Sequence, residues 1–188
     1  SLLVVERVFA RHGLKLFDVE ELPTHGGSLR IFAGRSDGPD RGESDGLKSV
    51  RASESQAQLD KVDIYTSFQP RVEAVREGLQ KFLKLAADNG QQVAAYGAAA
   101  KGNTLLNFCG VTANQISFVA DVSPHKQDHL LPGSRIPIMA PEHLKEAKPD
   151  HVLILPWNLK TEITSDHAYV RDWDGDFVIA VPELTILP

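Results

Sequence analysis

The chain has 188 residues, of which 42% are hydrophobic and 24% charged, the proportions of a globular protein. With 20 Lys and Arg against 25 Asp and Glu, the formal charge is −5 and no basic tract stands out. Nucleic acid and membrane are therefore poor partners, and nothing reads as a signal peptide or a long apolar span.

Leu2, Val5 and Phe9 recur at helical spacing, so residues 2–12 predict an amphipathic helix that stops at Gly13. That run begins without a capping lead-in, and Met139 is the only methionine, so the chain reads as a piece of a longer polypeptide. "LKLFDVEEL", "PTHGG" and "SLRIFAGR" follow as strand, turn and strand, most simply an antiparallel hairpin. Residues 36–52, rich in Gly, Ser and mixed charge, read as a flexible loop. A long helical pattern covers residues 53–90, with Pro70 as an interruption and Val72, Val75, Leu79, Phe82 and Ala86 as its apolar stripe.

From residue 91 the period changes. "QVAAYG", "ISFVAD", "RIPIMA", "HVLILPW" and "DFVIAVP" are short apolar runs separated by helical patterns such as "TLLNFCG" and "PEHLKEAK". Continuous apolar strands alternating with helices predict an α/β fold, a Rossmann-like parallel sheet with helices on both faces, over residues 91–188. Cys109, the single cysteine, shares a helical face with Leu105 and Leu106 and is expected in the core. One cysteine excludes a disulfide framework and any cysteine-built zinc site, and suggests a reducing, cytoplasmic setting.

Ligands of open parallel sheets sit at the carboxyl ends of the strands, near a switch in strand order. Three loops leave such ends: residues 97–103, 121–134 and 156–160. In "YGAAAKGN", Gly97 and its alanines leave room for a ligand, and the N–H groups of Gly102, Asn103 and Thr104 would open the next helix towards an anion. Lys101 adds a full charge. Phosphate binding is preferred over a solvated Lys101 beside small residues that merely pack tightly.

Asp121 ends a strand where dinucleotide folds place an acid for a ribose hydroxyl, although aspartates there also cap turns. Lys126 would reach a second phosphate oxygen, and Asn158 would read a base or sugar edge. Trp157 is read either as a stacking surface or as a core residue. His125 and His129 lack an obvious third ligand, so no metal is assigned. In "THGGSLR", the glycines suit a hairpin turn, whereas His25, Ser28 and Arg30 exceed what a turn requires.

"FARHGLKLFDVEELPTHGGSLRIFAGR", "YGAAAKGNTLLNF", "FVADVSPHKQDHLLPGSRIPI" and "HVLILPWN" together closely resemble the carboxyl-terminal part of the S-adenosylmethionine-dependent C-methyltransferases, whose best-known members methylate nucleotide-linked 4-keto deoxysugars. The resemblance implies that residues 1–35 are the last helix and hairpin of an S-adenosylmethionine domain. Residues 53–90 would then be a bridge and residues 91–188 the carboxyl-terminal domain. It implies missing amino-terminal zinc and S-adenosylmethionine domains. The donor site and the catalytic base would lie outside this chain, so no catalytic residue is assigned and no cofactor is expected on it.

His25, Ser28 and Arg30 would stand on the substrate side, Lys101 and the helix start behind it would face a diphosphate, and Asp121 and Asn158 would lie towards the nucleoside or sugar. The alternatives are a stand-alone dinucleotide- or coenzyme A-binding module and a structural or dimerisation domain.

Overall fold

A computed structural model describes residues 1–187, apart from the side chain of His25. The chain forms two compact units, Ser1–Gln69 and Pro70–Pro188.

In the first unit, α1 (Leu2–Arg11) is followed by the antiparallel hairpin β1 (Leu14–Leu22) and β2 (Ser28–Arg35), joined by a tight helical turn at Thr24–Gly26. The pairing register shifts between Leu16 and Asp18, leaving Phe17 as the extra residue of a bulge. Strict alternation would put Leu16 and Val19 on opposite faces. The bulge turns both into one small core with Leu2, Leu47 and Val50, flanked by Val5, Phe9, Leu29 and Ile31.

The segment expected to be a flexible loop up to residue 52 contains a helix, α2 (Asp45–Gln56). Its sequence mixes helix formers with Asp, Gly and Ser, and tertiary contacts hold it. Ser44 Oγ caps its start by accepting from Leu47 N at 3.1 Å, and Leu47 and Val50 are buried. Gly46, which looked like loop composition, lets the helix approach β1, since a Cβ there would meet the carbonyl oxygen of Val19 at 2.6 Å. The Glu54 carboxylate in turn accepts from the backbone N–H groups of Leu2 and Leu3, at 2.5 and 2.8 Å, and closes the start of α1. Arg51 bridges Glu6 and Glu43.

The helical pattern after residue 53 does not break at Pro70. A short helix, α3 (Val62–Thr66), precedes α4 (Phe68–Asp88), and Pro70 lies in the first turn of α4, where its missing N–H costs nothing.

The second unit is built on six strands: β3 (Val93–Tyr96), β4 (Val119–Ala120), β5 (Ile138–Met139), β6 (His151–Ile154), β7 (Asp176–Ile179) and β8 (Thr185–Leu187), in the spatial order β5-β4-β3-β6-β7-β8. The first five pair in parallel, giving the expected Rossmann-like α/β sheet. The edge strand β8 is antiparallel to β7 and was not anticipated, because "TIL" is too short to show a period.

Alternate residues of each strand supply two cores. Val93, Ala95, Val119, Leu153 and Val178 meet Leu79, Phe82, Leu83 and Ala86 of α4 and Leu106 and Cys109 of α5 (Ala100–Cys109). On the other face, Ala94, Tyr96, Val152, Ile154 and Phe177 meet Leu144 of α6 (His143–Ala147) and Ile163 of α7 (Lys160–Asp166). A tight helical segment, Ala168–Trp173, follows α7. Cys109 is buried as anticipated, and burial pushes its thiol pKa up. Among the described residues no helix is long and apolar enough to cross a membrane.

Candidate functional site

Strands β3 and β6 are neighbours, but the chain leaves them in opposite senses. From β3 it passes through α5, on one face, to β4 on one side. From β6 it passes through α7, on the other face, to β7 on the opposite side. The carboxyl ends of β3 and β6 therefore flank the switch point of the sheet, where such folds leave a crevice.

Two turns leave these strand ends and pass close to each other. Gly97 follows β3 with φ +86°, and a Cβ on it would lie 2.6 Å from Pro156 Cδ. Gly102 lies on the other turn in the same way, since its Cβ would fall 2.5 Å from Leu155 Cβ. Both glycines thus serve the close approach of the two turns. This is the packing explanation considered beside the ligand one, and it applies to the glycines but not to the lysine.

Lys101 is the second residue of α5, and its ammonium reaches the turn after β6. It donates to Asn158 Oδ1 and lies 4.6 Å from the centroid of the Trp157 ring. No carboxylate among the described residues lies within 4 Å of it. Trp157 and Asn158 belong to the tight turn Trp157–Leu159, directly after β6. Trp157 is partly buried against the core, as its reading as a core residue expects. Part of the indole packs on the Tyr96 and Ile163 core, and one face remains for a cation.

The helix behind the lysine starts earlier than expected. Asn103 N already donates to Ala99 O at 2.9 Å, so the open first-turn N–H groups belong to Ala100, Lys101 and Gly102 rather than to Asn103 and Thr104. No side chain caps them. Asn103 Oδ1 is buried with no hydrogen-bond partner among the described residues.

Asp121 and Lys126 come together, but with each other. Asp121 is 6% exposed. Its Oδ2 accepts from Ala98 N at 2.7 Å and from Lys126 Nζ at 3.1 Å, and its Oδ1 accepts from Ser123 N at 2.8 Å. Lys126 Nζ also donates to Ala98 O at 3.0 Å. The pair thereby clasps the turn after β3 to the end of β4. An acid so engaged has little left for a ribose, and an ammonium so held is not a free phosphate ligand. The sequence placed both residues on the right rim but could not show these partners.

One group on the rim escaped the sequence reading. The Tyr96 ring lies 4.4 Å from the His167 ring, and His167 Nδ1 shares a hydrogen bond of 2.9 Å with Tyr169 Oη. Burial, then the nearby Asp121, raises the Tyr96 pKa, and burial lowers that of His167. Only the fold joins these residues, so no local motif signals them.

In the first unit, Arg30 pairs across the hairpin with Glu20 at 2.9 Å, and Ser28 Oγ donates to Thr24 O at 3.0 Å. Ser28 and Arg30 share a strand face, as alternation predicts, while Leu29 and Ile31 point to the core. The His25 side chain lies outside what the structure describes. A cavity of about 270 Å³ is lined by Lys15, Phe17, Arg35 and Arg41, among others. Asp40 holds Lys15, Asp37 holds Arg35, and Arg41 rests on the Phe17 ring.

The mostly parallel six-stranded sheet defines a Rossmann-like domain, and comparison with known proteins gives its class. Residues 23–182 match the C-methyltransferase C-terminal domain, and the chain belongs to that family. A relative, the C-methyltransferase NovU of Streptomyces niveus, is 33% identical over 180 residues, covering 96% of this chain and 43% of that protein. The chain thus spans less than half the length of the curated relative it matches.

Proposed function

We propose that this chain is the substrate-side portion of an S-adenosylmethionine-dependent methyltransferase that methylates a carbon of a nucleotide-linked keto sugar. In this reading Lys101, with the first turn of α5, holds the diphosphate of that substrate. The observation that supports it is the ammonium beside the carboxyl ends of β3 and β6, whose only close partners among the described residues are a neutral amide and an indole. A lysine needed only for folding commonly meets a carboxylate or open water. This one is drawn over a switch point, and a diphosphate there would gain a charge-assisted contact beside open helix N–H groups.

Asn158 would face the nucleoside or sugar. In the first unit, the exposed Arg30–Glu20 pair contributes at most about 1 kcal/mol, so Arg30 is readily redirected to a ligand. Gly97, Gly102 and Asn103 contribute by shaping the crevice, and Asp121 with Lys126 by fixing its wall.

The methyl donor is not assigned to residues of this chain. The acid at the end of β4, the natural ribose ligand, is buried and fully engaged by Ala98, Ser123 and Lys126. S-adenosylmethionine would supply the electrophilic methyl group from the rest of a longer protein, and this chain alone would be inactive.

Calorimetric titration with deoxythymidine diphosphate tests the reading. Lys101→Ala should weaken binding by roughly 10- to 100-fold, the equivalent of about 1.5–3 kcal/mol. Equal affinity in the two proteins would remove Lys101 from the diphosphate site.

A further inference from the structure

We infer that Trp157 and Asn158 form a nucleobase platform that Lys101 keeps covered until a phosphate draws the lysine away, so that the phosphate and base ends of a nucleotide bind cooperatively. The inference rests on Lys101 being a diphosphate ligand and adds the substrate's aromatic end to that site.

One ammonium occupies two recognition groups at once. It lies over the face of Trp157 and takes the Oδ1 acceptor of Asn158. The rest of Trp157 is packed on the core beside Tyr96 and Ile163, so the covered face cannot escape by a swing of the ring without disturbing that packing. A base that stacks there has to displace the lysine. An edge that would pair with the Asn158 carboxamide, through adjacent donor and acceptor, meets the same obstacle.

The cover is weakly held. A cation over one face of a half-buried ring and one bond to a neutral amide are both softer than a charge-assisted bond to a phosphate oxygen. No carboxylate among the described residues lies within 4 Å of the Lys101 ammonium. Lys101 sits on a flexible stem one residue from the start of an uncapped helix, so a phosphate at that helix start is within the range of its side chain. When the ammonium turns to the phosphate, the indole face and the amide oxygen are freed together. Coupling of this kind is reciprocal, so a bound base must also raise the affinity for phosphate.

The test uses the whole chain carrying Trp173→Phe, so that fluorescence reports Trp157 alone. Deoxythymidine is titrated with and without saturating inorganic pyrophosphate, and the indole Nε1–H resonance of Trp157 is followed in the unsubstituted chain as a second measurement. Pyrophosphate should tighten nucleoside binding about two- to fivefold, the loss of an exposed cation–π contact. Lys101→Ala should bind the nucleoside about two- to fivefold more tightly than the parent, with pyrophosphate no longer having any effect. Trp157→Leu should lose nucleoside binding while keeping pyrophosphate.

Nucleoside affinity that is indifferent to pyrophosphate, or weakened by Lys101→Ala, overturns the inference. If deoxythymidine diphosphate binds through Lys101 without this coupling, only the platform fails. If no nucleotide binds at all, the proposed function fails with it.

Discussion

Two helical glycines should respond to alanine with opposite signs. In a helix interior this change gains about 1 kcal/mol, because glycine has more backbone freedom to lose. At Gly78 in α4 the new Cβ would rest 3.7 Å from Leu184 Cβ, an ordinary contact, so the gain should survive. At Gly102 it would fall 2.5 Å from Leu155 Cβ, with Cδ1 and Cγ at 3.1 and 3.2 Å. Leu155 is 0% exposed and its Cβ is fixed by the end of β6, so α5 itself has to shift. Overpacking of this kind costs about 1–3 kcal/mol, and a contact this short belongs in the upper half of that range. Gly102 is in the first turn of α5, where the helix gain is at most that of an interior. Gly102→Ala is therefore left at least about 1–2 kcal/mol less stable than the parent, and Gly78→Ala about 1 kcal/mol more stable. Urea unfolding followed by tryptophan fluorescence reads this directly, since Trp157 and Trp173 both lie in the second unit. A Gly102→Ala protein as stable as Gly78→Ala would refute the view that close approach of α5 to the end of β6 is what demands a glycine.

The Asp121–Lys126 clasp should be asymmetric. Asp121→Ala strands a buried Ala98 N–H and should cost about 2–4 kcal/mol in unfolding experiments. Lys126→Ala should cost about 1 kcal/mol or less, because the 45% exposed lysine is partly solvated already. Acid should also weaken the second unit through His167. Burial holds its folded pKa below the ordinary 6.5, so the unfolded chain binds the proton first. The stabilisation from keeping this ring neutral is complete above pH 6.5 and is lost as pH falls through the lowered folded value. His167→Gln should flatten that limb of a plot of melting temperature against pH, and an unchanged limb would assign it to other groups.

The parallel sheet was legible because its strands are buried on both faces and therefore spell unbroken apolar runs. β4 and β5 form only two-residue ladders, yet Ile116, Phe118 and Ile136 beside them are buried too, so the hydrophobic signal outruns the hydrogen bonding. α2 was illegible because its stability comes from other elements: the Ser44 cap, the close pass of Gly46 over β1, and the buried Leu47 and Val50. The site divided along the same line. Position at a strand end put Lys101, Asp121, Lys126 and Asn158 on one rim. What each side chain does there depends on partners far along the chain, such as Ala98 for Asp121 and Asn158 for Lys101. A single sequence shows that a charge is present but not whether the fold has already neutralised it.

The carboxylate of Glu54 that closes the start of α1 has a practical corollary for anyone dissecting the molecule. A cut between Arg35 and Asp45 would leave two fragments that each lack something the other carries: one an open helix end, the other an acid with no amides to receive. Such fragments should be recovered as a non-covalent pair rather than as independent modules. A shortened version meant to stand alone has to retain everything through Gln56.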